Sequence, residues 1–159
     1  MATKTNAVRL VQQAGIPCRE AFYEYDENDL NGNHAAKALG FPPEQVFKTL
    51  VARGEKTGIN VFCIPVCCEL DLKKAAKAVG EKSIAMLPGK ELLPLTGYIR
   101  GGCSPVGMKK PFPTYIDETA SLYEYIYISA GVRGLQFKIN PEDLTSYVKA
   151  ALADITVMK

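Results

Sequence analysis

Residues Gly97 to Lys110 read GYIRGGCSPVGMKK, and no other stretch limits the fold as strongly. Four glycines, one proline and three cations within fourteen residues make a connection, not a helix or a strand. Gly101 and Gly102 are adjacent and lack a Cβ, so their backbone can reach positive φ and lie against a ligand. Successive N–H groups in such a turn can form a concave anion site, to which Arg100, Lys109 and Lys110 would add positive charge. The same residues also suit a plain connection in which glycine and Ser-Pro only make turns.

Around this loop the chain reads as short elements. Thr5 to Ala14 has the periodicity of an amphipathic helix, with Val8, Val11 and Ala14 on one face and Gly15 as its stop. Cys18 to Tyr25 is extended. Asn33 caps a short helix to Leu39, closed by Gly40. Val46 to Ala52 and Ile59 to Val66 form a hairpin about a turn from Gly54 to Gly58. Asp71 opens a helix ending at Gly80, with Leu72, Ala75, Ala76 and Val79 on its buried face. Lys82 to Leu87 is a short strand, and Glu91 to Leu95 one helical turn. Thr114–Asp117, Tyr125–Ser129 and Leu135–Ile139 read as strands. Asn140-Pro141, followed by Glu142 and Asp143, starts a last helix expected to run to about Ala153. Short hairpin-joined strands with irregularly interspersed helices imply an α+β fold. No repeat or linker divides the chain, so one domain over residues 1–159 is expected.

At 159 residues with 47% apolar and 23% charged content, the chain can bury a core without disulfides or metal. A net charge of +2 means that any nucleic-acid binding must come from a local patch. The five cysteines are odd in number, with two adjacent, and give no disulfide framework. A single histidine, His34, leaves no zinc-site spacing. Reduced thiols, no signal-like start and no apolar run long enough to span a bilayer imply a cytoplasmic protein. No metal, no cofactor and no membrane partner are expected, and a monomer is the default at this size.

Lys48 is the sharpest single residue. In VFKTLVA it shares a strand face with Val46, Leu50 and Ala52, where an apolar side chain is the rule. It either guards an edge strand or points into a polar cavity. His34, between Asn33 and two alanines, reads as a surface residue. No nucleophile elbow, P-loop or dinucleotide fingerprint is present, so an enzyme of this sequence would work by positioning and backbone dipoles. Lys73, Lys74 and Lys77 lie near one another on a helix face, either solvated or contacting phosphate. Tyr23 and Tyr25 could line a pocket or simply pack.

The ordered motifs Lys48-Thr49-Leu50, LDLKKAAKAVG (Leu70–Gly80), GYIRGGCSPVGMKK and SAGVRGL (Ser129–Leu135) together resemble the YbaK/EbsC family. That family is related to the insertion domain of bacterial prolyl-tRNA synthetases, and the likeness spans nearly the whole chain. It implies a compact α+β domain around a mixed, barrel-like sheet, with an editing pocket between sheet and loops.

The resemblance also implies an activity, removal of cysteine from mischarged Cys-tRNA(Pro), with the 3′ end of the tRNA as ligand and prolyl-tRNA synthetase as partner. In such chemistry the substrate thiol attacks its own ester carbonyl. By resemblance Lys48 orients the terminal adenosine or ester, and the backbone of Gly101 and Gly102 holds the carbonyl. Tyr23, Thr49 and Ser129 line the pocket. Where the best-known members carry aspartate after this hairpin, the present chain has Gln136, a neutral amide that cannot pair ionically with a substrate ammonium. This bears on which amino acid the site takes. Hydrolysis of Ala-tRNA(Pro) by water, or tRNA binding without turnover, are the alternative functions.

Overall fold

The computed structural model describes residues 5–28, 30 and 32–158. The elements in order are α1 (Asn6–Gln13), β1 (Cys18–Phe22), α2 (Gly32–Leu39), β2 (Phe47–Gly54), β3 (Gly58–Pro65), β4 (Cys68–Leu70) and α3 (Leu72–Val79). They continue with β5 (Ile84–Met86), α4 (Gly89–Thr96), β6 (Thr114–Asp117), a 3-10 turn (Glu118–Leu122), β7 (Ile126–Ser129), β8 (Leu135–Ile139), α5 (Pro141–Val148), β9 (Ala151–Ala153) and β10 (Thr156–Met158).

Local chemistry sets many of these boundaries. Thr5 caps α1 by accepting from the Val8 N–H at 3.1 Å, while its own hydroxyl donates to the Ala130 carbonyl at 2.7 Å. One side chain thus starts a helix and fixes it to the loop after β7. Asp71 caps α3 through the Lys73 and Lys74 N–H groups, and Gly80 closes it in the left-handed conformation. Asn140 caps α5 in the same way, with Pro141 at the first helical position. The β2–β3 hairpin turn is held from outside. The Glu81 carboxylate accepts from the Lys56 and Thr57 N–H groups at 2.9 and 2.6 Å.

Two main sheets result. The five-stranded one runs β5-β2-β3-β6-β9 and is mixed: β2 is antiparallel to β3 and β5, while β6 is parallel to β3 and β9. The second is antiparallel, β1-β8-β7, and a small ladder pairs β10 with β4. A parallel bridge between Val46 and Tyr127 joins the two main sheets at one point. The fold is α+β with a mixed sheet, as expected, but the described strands do not close into a barrel.

Side-chain alternation places the core between the sheets. Phe47, Cys63 and Ile116 from the larger sheet meet Ile126, Ile128, Phe137 and Ile139 from the smaller one, sealed by Val8 and Val11 of α1 and Leu144 of α5. The outer face of the larger sheet, with Ala52, Phe62 and Ile64, packs on Ala75 and Ala76 of α3. Burying one side chain such as Phe62 or Ile64 contributes ~1.5–3 kcal/mol.

Several expectations need correction. The last helix does not reach Ala153. It ends at Val148, where Lys149 turns left-handed at φ 56°, and Ala151–Ala153 becomes a strand alongside β6. Two short strands, β4 and β10, were not foreseen in the sequence. The helical turn at Glu91–Leu95 is the core of a full helix, α4. Leu72, assigned to the buried face of α3, is 41% exposed. Lys74 does not belong to a free lysine face: its ammonium donates to Asp154 Oδ1 and to the Thr156 carbonyl at 3.0 and 2.9 Å.

Candidate active site

The larger sheet leaves part of one strand edge open. β5 covers β2 only at Ala52 to Gly54, and the Val46–Tyr127 bridge touches it only near its start. The Val51 carbonyl accepts from Leu87 N–H, and the Gln45 carbonyl from Tyr127 N–H, both on the edge away from β3. Strand alternation therefore puts the main-chain N–H and C=O groups of Phe47 and Thr49 on that same edge. Here lies a cleft of about 530 Å³. That volume is within the roughly 300–1,000 Å³ of small-molecule sites.

The structure brings six of the seven residues singled out in the sequence to its walls: Tyr23, Lys48, Thr49, Gly101, Ser129 and Gln136. Lys48 is half-buried. It lines the cleft beside the open edge of β2, so the fold sets this lysine next to both a strand edge and a cavity. Thr49 also lines the wall, with its hydroxyl 3.9 Å from the Cys63 sulfur. Tyr23 follows β1 and donates its N–H to the Gly134 carbonyl at 2.9 Å. Burial pushes its phenol above the ordinary range, opposed by a backbone hydrogen bond at Gly134.

Gly101 adopts φ 85°, a conformation that admits glycine and few other residues. Gly102 is not among the lining residues and stands against the backbone of the β7–β8 hairpin. A Cβ at Gly102 would lie 3.0 Å from Arg133 N and 3.1 Å from Val132 C. Its bare Cα lets the two loops touch.

Ser129 and Gln136 face each other across β7 and β8. The Ser129 hydroxyl accepts from the Gly131 N–H at 3.2 Å. Gln136 is 6% exposed, and its side-chain oxygen has no hydrogen-bond partner among the described residues. A buried acceptor left without a donor costs ~1–3 kcal/mol, which a ligand donor would recover.

Three cations, Lys48, Arg100 and Arg133, line the cleft, and among the described residues no aspartate or glutamate does. This local balance suits an anionic ligand although the whole chain is nearly neutral. In the sequence Arg100 stood out only as a loop cation, and Arg133 only as part of the SAGVRGL motif. His34, read as a surface residue, is half-buried and lines the wall with Leu30 and Tyr25. The uniqueness of that histidine was the one available signal. The open β2 edge had none, since only the pairing of β5 and β7 reveals it.

Cys103 lines the cleft and Cys63 lies beneath Thr49, and burial disfavours the thiolate form of both. Burial pushes both up to about 12, with a weaker opposing hydrogen bond from Thr96 to Cys103 and from Thr49 to Cys63. Thiols so raised stay protonated near neutrality and are poor nucleophiles.

Residues 32–147 match the sequence pattern of the aminoacyl-tRNA editing domain. The chain belongs to that family. It is 49% identical over 153 residues to EbsC of Enterococcus faecalis, a candidate Cys-tRNA(Pro)/Cys-tRNA(Cys) deacylase, covering 96% of this chain and 93% of EbsC. A proline–tRNA ligase of Shouchella clausii is 28% identical over 80% of this chain, which corresponds to 22% of the ligase. A solved structure of a candidate trans-editing enzyme for prolyl-tRNA synthetase superposes with a TM-score of 0.80 at 29% identity. That match covers 98% of this chain and 99% of the other. The editing-domain assignment agrees with the resemblance carried by the four sequence motifs, and the matched span contains every cleft residue but Tyr23, Tyr25 and Leu30. Among the described residues no helix is long and apolar enough to cross a membrane.

Proposed function

We propose that this protein is a trans-acting deacylase that removes cysteine from mischarged Cys-tRNA(Pro). The supporting observation is the cleft itself: Lys48, Gly101 and Gln136 line one site in which, among the described residues, no acid stands and the Gln136 oxygen has no hydrogen-bond partner. An aminoacylated tRNA end carries phosphate, an ester carbonyl and an α-ammonium. The cations answer the first, backbone dipoles at Gly101 the second and the Gln136 oxygen the third.

In the proposed step the substrate's own thiol attacks its ester carbonyl. A carbon–sulfur bond forms, the carbon–oxygen bond to the ribose breaks, and the proton from sulfur ends on the ribose hydroxyl. The products are uncharged tRNA and a cyclic thiolactone. The protein supplies orientation and stabilises the developing oxyanion, for which no protein nucleophile is needed. The raised Cys63 and Cys103 thiols fit that division of labour. Discarding cysteine in a separate site is the expected remedy where a synthetase pocket cannot exclude a smaller amino acid. A passing association with prolyl-tRNA synthetase would supply the tRNA selectivity, and the likeness to a segment of a proline–tRNA ligase supports it.

Single-turnover deacylation of Cys-tRNA(Pro), with Ala-tRNA(Pro), Ser-tRNA(Pro) and Cys-tRNA(Cys) alongside, tests this reading. Loss of cysteine alone is expected. Loss of alanine would replace thiol attack by water attack, and binding of all esters without turnover would make the protein a tRNA-binding module. Equal loss from both cysteinyl tRNAs would place tRNA choice outside this chain.

A further inference from the structure

Cys67 and Cys68 take no part in the cleft, yet the fold gathers them with a third sulfur. The chain turns at Val66-Cys67 between β3 and β4, and β4 then runs antiparallel to β10 with Cys68 opposite Met158. Adjacent residues within a strand point to opposite faces, so two neighbouring cysteines can meet only at such a turn. Here their sulfurs are 3.9 Å apart, and the Cys68 thiol is 3.6 Å from the Met158 sulfur. Three sulfurs bound to one ion by bonds of ~2.3 Å stand ~4.0 Å from one another in a trigonal arrangement. The Cys67–Cys68 and Cys68–Met158 spacings nearly meet that condition.

We propose that Cys67, Cys68 and Met158 form a binding site for a soft monovalent metal ion, Cu(I). The donors select the metal: two thiols and a thioether suit Cu(I), whereas harder ions prefer oxygen ligands and zinc favours four nitrogen or thiolate ligands. Among the described residues no three of the His, Cys, Asp and Glu side chains gather to hold a metal, so these harder alternatives lack a donor set. Entry is open, since Met158 is 71% exposed while Cys68 is buried below it. On binding, each ligating thiol releases its proton to solvent and the copper stays Cu(I). The ion would clip β10 to β4.

The test is competition between the reduced whole protein and bicinchoninate for Cu(I) without oxygen. About one Cu(I) per chain should pass to the protein, and the melting temperature should rise, because a ligand that binds only the folded state stabilises it. Met158→Leu, at an exposed position, should melt like the parent without copper but bind Cu(I) about tenfold more weakly. The double variant Cys67→Ser/Cys68→Ser should lose the site. Failure of the parent to compete overturns the proposal. So does a Met158→Leu affinity equal to the parent, or loss of binding in Cys103→Ser instead of the double variant.

Discussion

The Arg133 guanidinium donates through Nε to the Arg100 carbonyl at 2.9 Å, so the β7–β8 hairpin and the glycine loop hold each other in place. Both arginines also line the cleft. The contact fixes the loop that carries Gly101 relative to the strands that carry Ser129 and Gln136. A site built on backbone dipoles depends on such bracing, because misplacement by about 1 Å can cost ~100-fold in rate.

Gly102→Ala tests the bracing. The new methyl would stand 3.0–3.1 Å from the Val132–Arg133 backbone, which has no flexible end to move aside. Overpacking of this kind costs ~1–3 kcal/mol. A lower melting temperature and deacylation reduced more than tRNA binding are expected. A variant with parental stability and rate would show that the loops have room to shift.

Lys48→Ala should reduce single-turnover deacylation by ~100-fold or more, the scale of losing one oriented electrostatic group at a reacting centre. The melting temperature should change little, since the side chain is only half-buried and no part of either apolar core. Lys48→Met, which keeps the stem, should be as inactive as the alanine variant. Activity retained in either folded variant would remove this ammonium from the reaction.

Helix ends were legible in the sequence wherever a side chain announces them. Asp71 with Gly80, and Asn140 with Pro141, mark α3 and the start of α5 through the capping bonds seen in the structure. The end of α5 was not, because lysine seldom turns left-handed and Ala151–Ala153 is a good helix sequence. Those residues are a strand only because β6 lies beside them. The cleft shows the same division. Glycine and cation patterns pointed to the loop and to Lys48, while the open β2 edge and His34 come from tertiary pairing that no local pattern encodes.

Gln136→Leu separates recognition from stability. The parent buries an amide oxygen that has no partner among the described residues. Replacing it by an apolar side chain of similar size should leave stability unchanged or raise it by ~1 kcal/mol. If that oxygen receives the substrate ammonium, deacylation should nonetheless fall, with the larger change in KM. Unfolding curves and steady-state rates on the same sample check both halves. Parental kinetics would mean that the ammonium is held elsewhere.

Alkaline titration tests the buried thiols. Cys63 and Cys103 rise from the ordinary 9.0 to about 12 mainly through desolvation, and Tyr98 from 10.0 to about 12 through desolvation and the neighbouring Cys103. The unfolded chain loses these protons first, so the fold opposes an ionisation that unfolding permits. Stability should therefore be level with respect to these groups below 9.0 and decline as the pH rises towards 12. Urea unfolding midpoints across that window should fall, and less steeply in Cys63→Ala/Cys103→Ala than in the parent. Because the thiols are protonated near neutrality, Cys103→Ala should still deacylate Cys-tRNA(Pro). Loss of turnover in a folded Cys103→Ala protein would instead make a protein thiol the nucleophile and displace the substrate's own sulfur from that role.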